Sequence, residues 1–174
     1  MPRKTYPDLV LAVAPMARGF AFILFEGPLA PFDWGLSFSE GHAKNARTLE
    51  GVRAIIERYQ PNTLVLEDCT SKSVRRSPRI RALALALAHL AAANHMEVHK
   101  VDRSMIRNAF ATVGARTKYE IAQAIAREIP ALSHRLPPLR KVWMSENPRQ
   151  SLFDAAALAA TYYAGSSPGQ PRST

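Results

Sequence analysis

Thr63-Leu64-Val65-Leu66-Glu67-Asp68-Cys69 carries the strongest architectural signal in the chain. Apolar and β-branched residues run without interruption into two carboxylates. An unbroken apolar run of this length is the signature of a strand buried on both faces. Such strands belong to α/β sheets with helices on either side. In these sheets ligand sites form outside the carboxyl ends of the strands. Glu67 and Asp68 stand at that end, where a rigid strand can aim acids at a metal. The same acids also suit a plain polar turn, so the neighbouring segments have to decide.

Working outward, Leu9 to Pro15 is a second buried-strand signal, closed by Pro15. Met16 to Gly19 reads as a turn, and Gly19 to Glu26 as another strand, stopped by Gly27-Pro28. Phe32 to Phe38 is a third, so the chain predicts an antiparallel meander at this point. Ala43 to Tyr59 changes period: Leu49, Val52, Ile55 and Ile56 recur at helical spacing. Gln60-Pro61-Asn62 ends that helix and leads into the opening strand, predicting a right-handed crossover to a parallel neighbour.

Beyond Cys69 comes Ser71-Lys72-Ser73-Val74-Arg75-Arg76-Ser77-Pro78-Arg79-Ile80-Arg81, the most basic segment of the chain. It opens into a helix from Ile80 to Ala93 that is apolar nearly all round and is expected to be buried against the sheet. Met96 to Val101 is a fifth strand, followed by a helix from Ser104 to Phe110. Gly114 to Lys118 is a basic turn into a helix from Tyr119 to Glu128, with Thr117 and Glu120 spaced as a capping box. A Pro-rich loop covers Pro130 to Lys141. The last helix spans Ser151 to Tyr163 and carries Asp154 in its first turn, where an acid also complements the helix dipole. The expected organisation is a single domain over residues 1–164 with a disordered tail over 165–174.

Composition narrows the function. The chain has 174 residues, a formal net charge of +9 and a pI near 10.2, which favour a polyanionic partner such as nucleic acid. No run is apolar enough to cross a membrane. One cysteine, Cys69, leaves no internal disulfide or cysteine-based zinc cluster, and a buried thiol is its expected role. These features fit a cytoplasmic setting. His95 and His99 read as packed or solvated side chains. His134, in the Pro-rich loop, is placed where it can approach Asp154. No P-loop, dinucleotide fingerprint or Gly-x-Ser-x-Gly elbow is present. Trp34 reads as buried, whereas Trp143 follows Arg140 and Lys141 in a loop and suits contact with bases.

The element order resembles the ribonuclease-H-like fold, and four stretches resemble its RuvC-type branch, the Holliday-junction resolvases. Leu11-Ala12-Val13-Ala14-Pro15 with Arg18-Gly19 is similar to the family's first strand and turn. Gln60-Pro61-Asn62 through Leu66-Glu67 is similar to its fourth strand with a catalytic Glu. Gly114-Ala115-Arg116-Thr117-Lys118 is similar to its basic turn, and Asp154-Ala155-Ala156-Ala157 to the start of its final helix. The resemblance implies an α/β fold with a mixed five-stranded sheet, three strands antiparallel and then two parallel, flanked by helices. It implies an endonuclease on branched or structured DNA that uses Mg²⁺ or Mn²⁺. Glu67 and Asp154 are then the metal ligands, with Asp68 a further catalytic candidate. Arg75, Arg76, Arg79, Arg116 and Lys118 are the candidates for binding the phosphate backbone. A homodimer is the assembly implied.

One position departs. The family's first-strand Asp falls on Ala14, and the last helix has one acid where many relatives have two. Two-metal phosphodiester cleavage clamps the attacking and leaving oxygens between two ions, and alanine offers no ligand to either. Three explanations stand together: a naturally degenerate site that binds without cutting, an engineered Asp-to-Ala replacement, or substitution by Asp68 or Asp102. Asp33 is less suited, because a meander puts it near the wrong end of the first strand. A non-catalytic nucleic-acid-binding adaptor on the same fold is the alternative function.

Overall fold

The computed structural model describes residues 8–70 and 75–166. The predicted tail lies largely outside these residues, as do Ser71 to Val74 of the basic segment. The elements run β1 (Val10–Met16), β2 (Gly19–Gly27), β3 (Ala30–Phe38), α1 (Lys44–Tyr59), β4 (Thr63–Glu67), α2 (Pro78–Ala93), β5 (Glu97–Val101), α3 (Arg103–Ala111), α4 (Lys118–Glu128), a short 3-10 turn (Pro130–Arg135) and α5 (Arg149–Gly165).

The sheet order is β3-β2-β1-β4-β5. β2 is antiparallel to β1 and β3, while β4 and β5 continue parallel to β1. This is the mixed five-stranded sheet that the resemblance implies. β1 lies at its centre, and its residues alternate strictly between two cores. Val10, Ala12 and Ala14 join one core, under α3, α4 and α5; Leu11 and Val13, with Leu9 just before the strand, join the other, under α1 and α2. Burial on both faces is why β1 and β4 read as unbroken apolar runs rather than as alternating ones.

Local signals set the element ends. Gln60 closes α1 in the left-handed region at φ 48°, and Pro61 prevents continuation. Ser77 caps α2 by accepting the Ile80 N–H, with Pro78 in the first turn. Asp102 caps α3 by accepting the Met105 N–H. Thr117 and Glu120 form the predicted capping box at α4. Gly19, at φ +131°, makes the tight turn into β2; a Cβ there would lie 1.8 Å from the Ser37 carbonyl oxygen.

One helix departs from its expected burial. α2 is not buried all round: Ile80, Leu83, Leu87 and Ala91 form one buried stripe, and Leu85 is exposed. Its many alanines are small enough to face solvent at little cost. α5 is the buried helix, packing across all five strands and against α3 and α4. Its first turn begins at Arg149, so Asp154 sits in the second turn, past the reach of the helix N-terminal dipole.

Candidate nucleic-acid interface

The β1–β4 register pairs Val10 with Thr63, Leu11 with Leu64 and Ala12 with Val65. Continued by two residues, it sets Ala14 beside Glu67. Side chains two apart share a face, so Glu67 points to the same side as Val65, toward α5. Asp154 comes from that helix. The carboxyl ends of β1 and β4 and the first turns of α5 thus bring Ala14, Glu67 and Asp154 to one cleft of about 570 Å³. β5 adds the start of α3, and the turn before α4 closes the rim.

Charge dominates this cleft. Arg75, Arg76, Arg79, Arg103, Arg107, Arg116 and Lys118 line it, against Glu67, Glu146 and Asp154. Among the described residues that is seven cations to three carboxylates. All five cations predicted from the sequence are present, together with two of the three predicted acids.

The acids are not open. Glu67, with 14% of its side chain exposed, accepts from Arg76 Nε at 2.8 Å and Nη2 at 2.5 Å, and its other oxygen accepts from Arg103 Nε at 3.4 Å. Asp154 accepts from Lys118 Nζ at 3.4 Å and from Gln150 Nε2 at 3.1 Å. Lys118 donates a closer bond, 2.9 Å, to Glu146. Burial pushes the Asp154 carboxyl above the usual carboxylate range, against the pull of Lys118 and Gln150. Burial alone would lower Lys118, but Asp154 and Glu146 outweigh it and hold the ammonium above its ordinary value.

The cations fall into three groups. Arg76, Arg103 and Lys118 neutralise acids. Arg79 acts as a strut, donating to Asn45 Oδ1 at 2.9 Å and to the Met16 carbonyl at 3.4 Å, which ties α2 to α1 and to the end of β1. Arg75, Arg107 and Arg116 make no side-chain hydrogen bond among the described residues. They line the cleft, and among the described residues their side-chain donors are open to a ligand.

Other candidates lie elsewhere. Asp68 is outside the cleft lining and accepts from the Thr70 N–H at 2.9 Å and hydroxyl at 2.6 Å; these bonds hold its pKa below the usual range. Asp102 is committed to capping α3, accepting also from the Ser104 hydroxyl. Asp33 accepts from the Tyr59 hydroxyl at the far end of α1. His134 takes a bond from Arg135 and is outside the cleft lining that holds Asp154. His99 packs edge-on against Tyr162. Cys69 is buried, and burial raises its thiol pKa. Trp34 is half-buried and packs against the α5-side core.

Arg103, Arg107 and Glu146 line the cleft without being among the residues expected from the sequence. A signal existed for the first two: they stand one helical turn apart, directly after β5, at the same strand end as Glu67. Glu146 lies in an irregular loop with no local signal.

No protein-family model and no curated protein matches this chain. Solved structures do. The Thermus thermophilus RuvC structure is 19% identical, with a TM-score of 0.66 over 94% of this chain and 99% of that one. T. thermophilus RuvC in complex with Holliday junction substrate is 16% identical, with a TM-score of 0.64 over 91% of this chain and 96% of that one. The yeast mitochondrial Holliday junction resolvase Ydc2 is 11% identical, with a TM-score of 0.58 over 92% of this chain and 80% of that one. The chain has the RuvC fold.

The RuvC-fold cleft of this protein does not fit a pair of divalent cations. Mg²⁺ takes oxygen ligands in near-octahedral geometry. Here Ala14 supplies none, and Glu67 and Asp154 are each held by cationic side chains. Ser151, one turn before Asp154, lines the cleft with a hydroxyl. Among the described residues no three His, Cys, Asp or Glu side chains are grouped to hold a metal. No described helix is long and apolar enough to cross a membrane.

Proposed function

We propose that this protein binds branched or structured DNA through the cleft at the ends of β1 and β4, and does so without cutting it by two-metal hydrolysis. The observation that carries the reading is that each of the three carboxylates lining the cleft, Glu67, Glu146 and Asp154, is paired with a cation. Arg76 and Arg103 occupy Glu67, and Lys118 occupies Asp154, where ions would otherwise have to bind. A polyanion is the partner such a cleft suits: Arg75, Arg107 and Arg116 offer charge-assisted bonds to phosphate oxygens. Contacts of this kind position a nucleic acid and make its affinity salt-dependent, but do not read sequence. The RuvC fold supports branched DNA as the substrate class, and a homodimer presenting two clefts suits the two-fold shape of a four-way junction. Cytoplasmic residence fits the same reading.

The test is a paired binding and cleavage assay. The protein is incubated with four-way junction, duplex and single-stranded DNA and with RNA, in Mg²⁺, in Mn²⁺ and in EDTA. Tight junction binding that EDTA leaves unchanged, with no strand cut, is the expected result. Sedimentation should find two copies per junction. Metal-dependent cutting by the unaltered chain would overturn the proposal, and failure to bind any nucleic acid at moderate salt would remove its foundation.

A further inference from the structure

The loop between the 3-10 turn and α5 carries an exposed apolar group that the cleft does not use. Leu139, Val142, Trp143 and Met144 are all exposed, Val142 at 95% and Trp143 at 79%. A single exposed apolar residue needs no explanation, but four within six positions do. The loop is also built to present them. The Met144 N–H donates to the Lys141 carbonyl at 3.0 Å, closing a tight turn with Val142 and Trp143 at its corner. Arg140 Nε donates to the Met144 carbonyl at 2.7 Å and braces the turn from outside. The Lys141 ammonium lies 5.3 Å from the centre of the Trp143 ring. An indole held this way loses little further freedom on binding.

From these observations we infer that Trp143 is a stacking platform for an unpaired nucleobase of the DNA held in the cleft. Charge selects the occupant: from Pro130 to Ser145 the chain has no acidic residue, while Arg135, Arg140 and Lys141 are basic. An aromatic face edged by cations suits a base with its phosphates; every base offers a π-face to stack on, and the flanking cations meet the backbone. Continuity with the cleft supports the same partner. Glu146, three residues beyond Trp143, lines the cleft and accepts from Lys118, so the backbone at Trp143 lies within about 11 Å of contour length of a cleft-lining residue. A strand held in the cleft is therefore joined to the indole by a short stretch of chain. The inference rests on the cleft binding DNA, as proposed above.

Binding and tryptophan emission are measured together for the unaltered chain, Trp143→Phe and Trp143→Ala, with a four-way junction, a single-stranded oligonucleotide and a fully paired duplex. Stacking predicts that single strand and junction quench the emission in the unaltered chain. Trp143→Phe, which keeps only Trp34, should lose most of that quenching and keep most of the affinity. Trp143→Ala should weaken single-strand and junction binding by roughly 5- to 100-fold, with little change on paired duplex. Unchanged affinity in Trp143→Ala with no quenching at saturation overturns the inference and leaves the cleft reading intact. Trp143→Ala altering self-association in sedimentation, with DNA affinity unchanged, assigns the turn to contacts between copies and also overturns it. Failure of the unaltered chain to bind any of the three overturns the cleft reading and the inference together.

Discussion

Glu67→Gln separates a phosphate-binding cleft from a metal-binding one. Glu67 accepts from both Arg76 and Arg103 and is only 14% exposed. The amide keeps the shape and loses the charge, so it no longer offsets the two guanidinium groups. Three open cations, Arg75, Arg107 and Arg116, predict a slope of log affinity against log salt of about −2.7 on duplex arms. Raising salt fourfold then weakens binding by about 40-fold. Removing the Glu67 charge adds about one effective cation, which steepens the slope to about −3.6 and the loss to roughly 150-fold. At the lowest salt Glu67→Gln should therefore bind more tightly than the unaltered chain. Stability moves the other way: weakening charge-assisted bonds at a half-buried pair costs about 2 kcal/mol, or roughly 4–8 °C in Tm for a chain of this size. Fluorescence anisotropy on a labelled junction from 50 to 200 mM salt reads the first effect, and thermal unfolding the second. Weaker binding by Glu67→Gln, with a shallower slope and a fold that stays intact, would refute the reasoning, because it would mean that the carboxylate itself supports the contact.

Three further outcomes follow from the same geometry. Ala14→Asp adds a carboxylate to the cleft beside Glu67, and in EDTA it should weaken junction binding and flatten the salt slope by about 0.9; metal-dependent cutting by this variant alone would show that the paired cations yield once a third ligand is supplied. Asp154 has a folded pKa above its unfolded value of 3.8 because burial disfavours the charge. Its contribution to stability is therefore full below pH 3.8 and lost as pH rises through the folded value. Acidification from neutrality should protonate Asp154 before the ordinary surface carboxylates and strengthen DNA binding; a carboxyl titration by NMR with its midpoint at or below 3.8 would contradict this. Gly19→Ala would drive a Cβ into the Ser37 carbonyl at 1.8 Å and force a residue with a side chain to φ +131°, so unfolding measurements should find at least about 3 kcal/mol of destabilisation.

The features legible along the chain are local or periodic. The apolar runs of β1 and β4 declared strands buried on both faces, and the helical spacing of Leu49, Val52 and Ile56 declared α1. Thr117 with Glu120 announced a helix start by capping chemistry that acts within one turn. Element order and the strand-end position of Glu67 followed, and with them the sheet and the place of the cleft. The burial of α5 rather than α2 was not legible, because both are rich in alanine and the packing partner decides which is enclosed. Nor was the state of the acids. Glu67 meets Arg103 36 positions away, and Lys118 meets Asp154 36 positions away. Such pairs exist only once β4, β5 and α5 are brought together. The sequence marks which side chains can carry charge; only the tertiary structure decides which charges neutralise one another and which remain for a ligand, because Coulombic attraction depends on distance in space and on burial, not on separation along the chain.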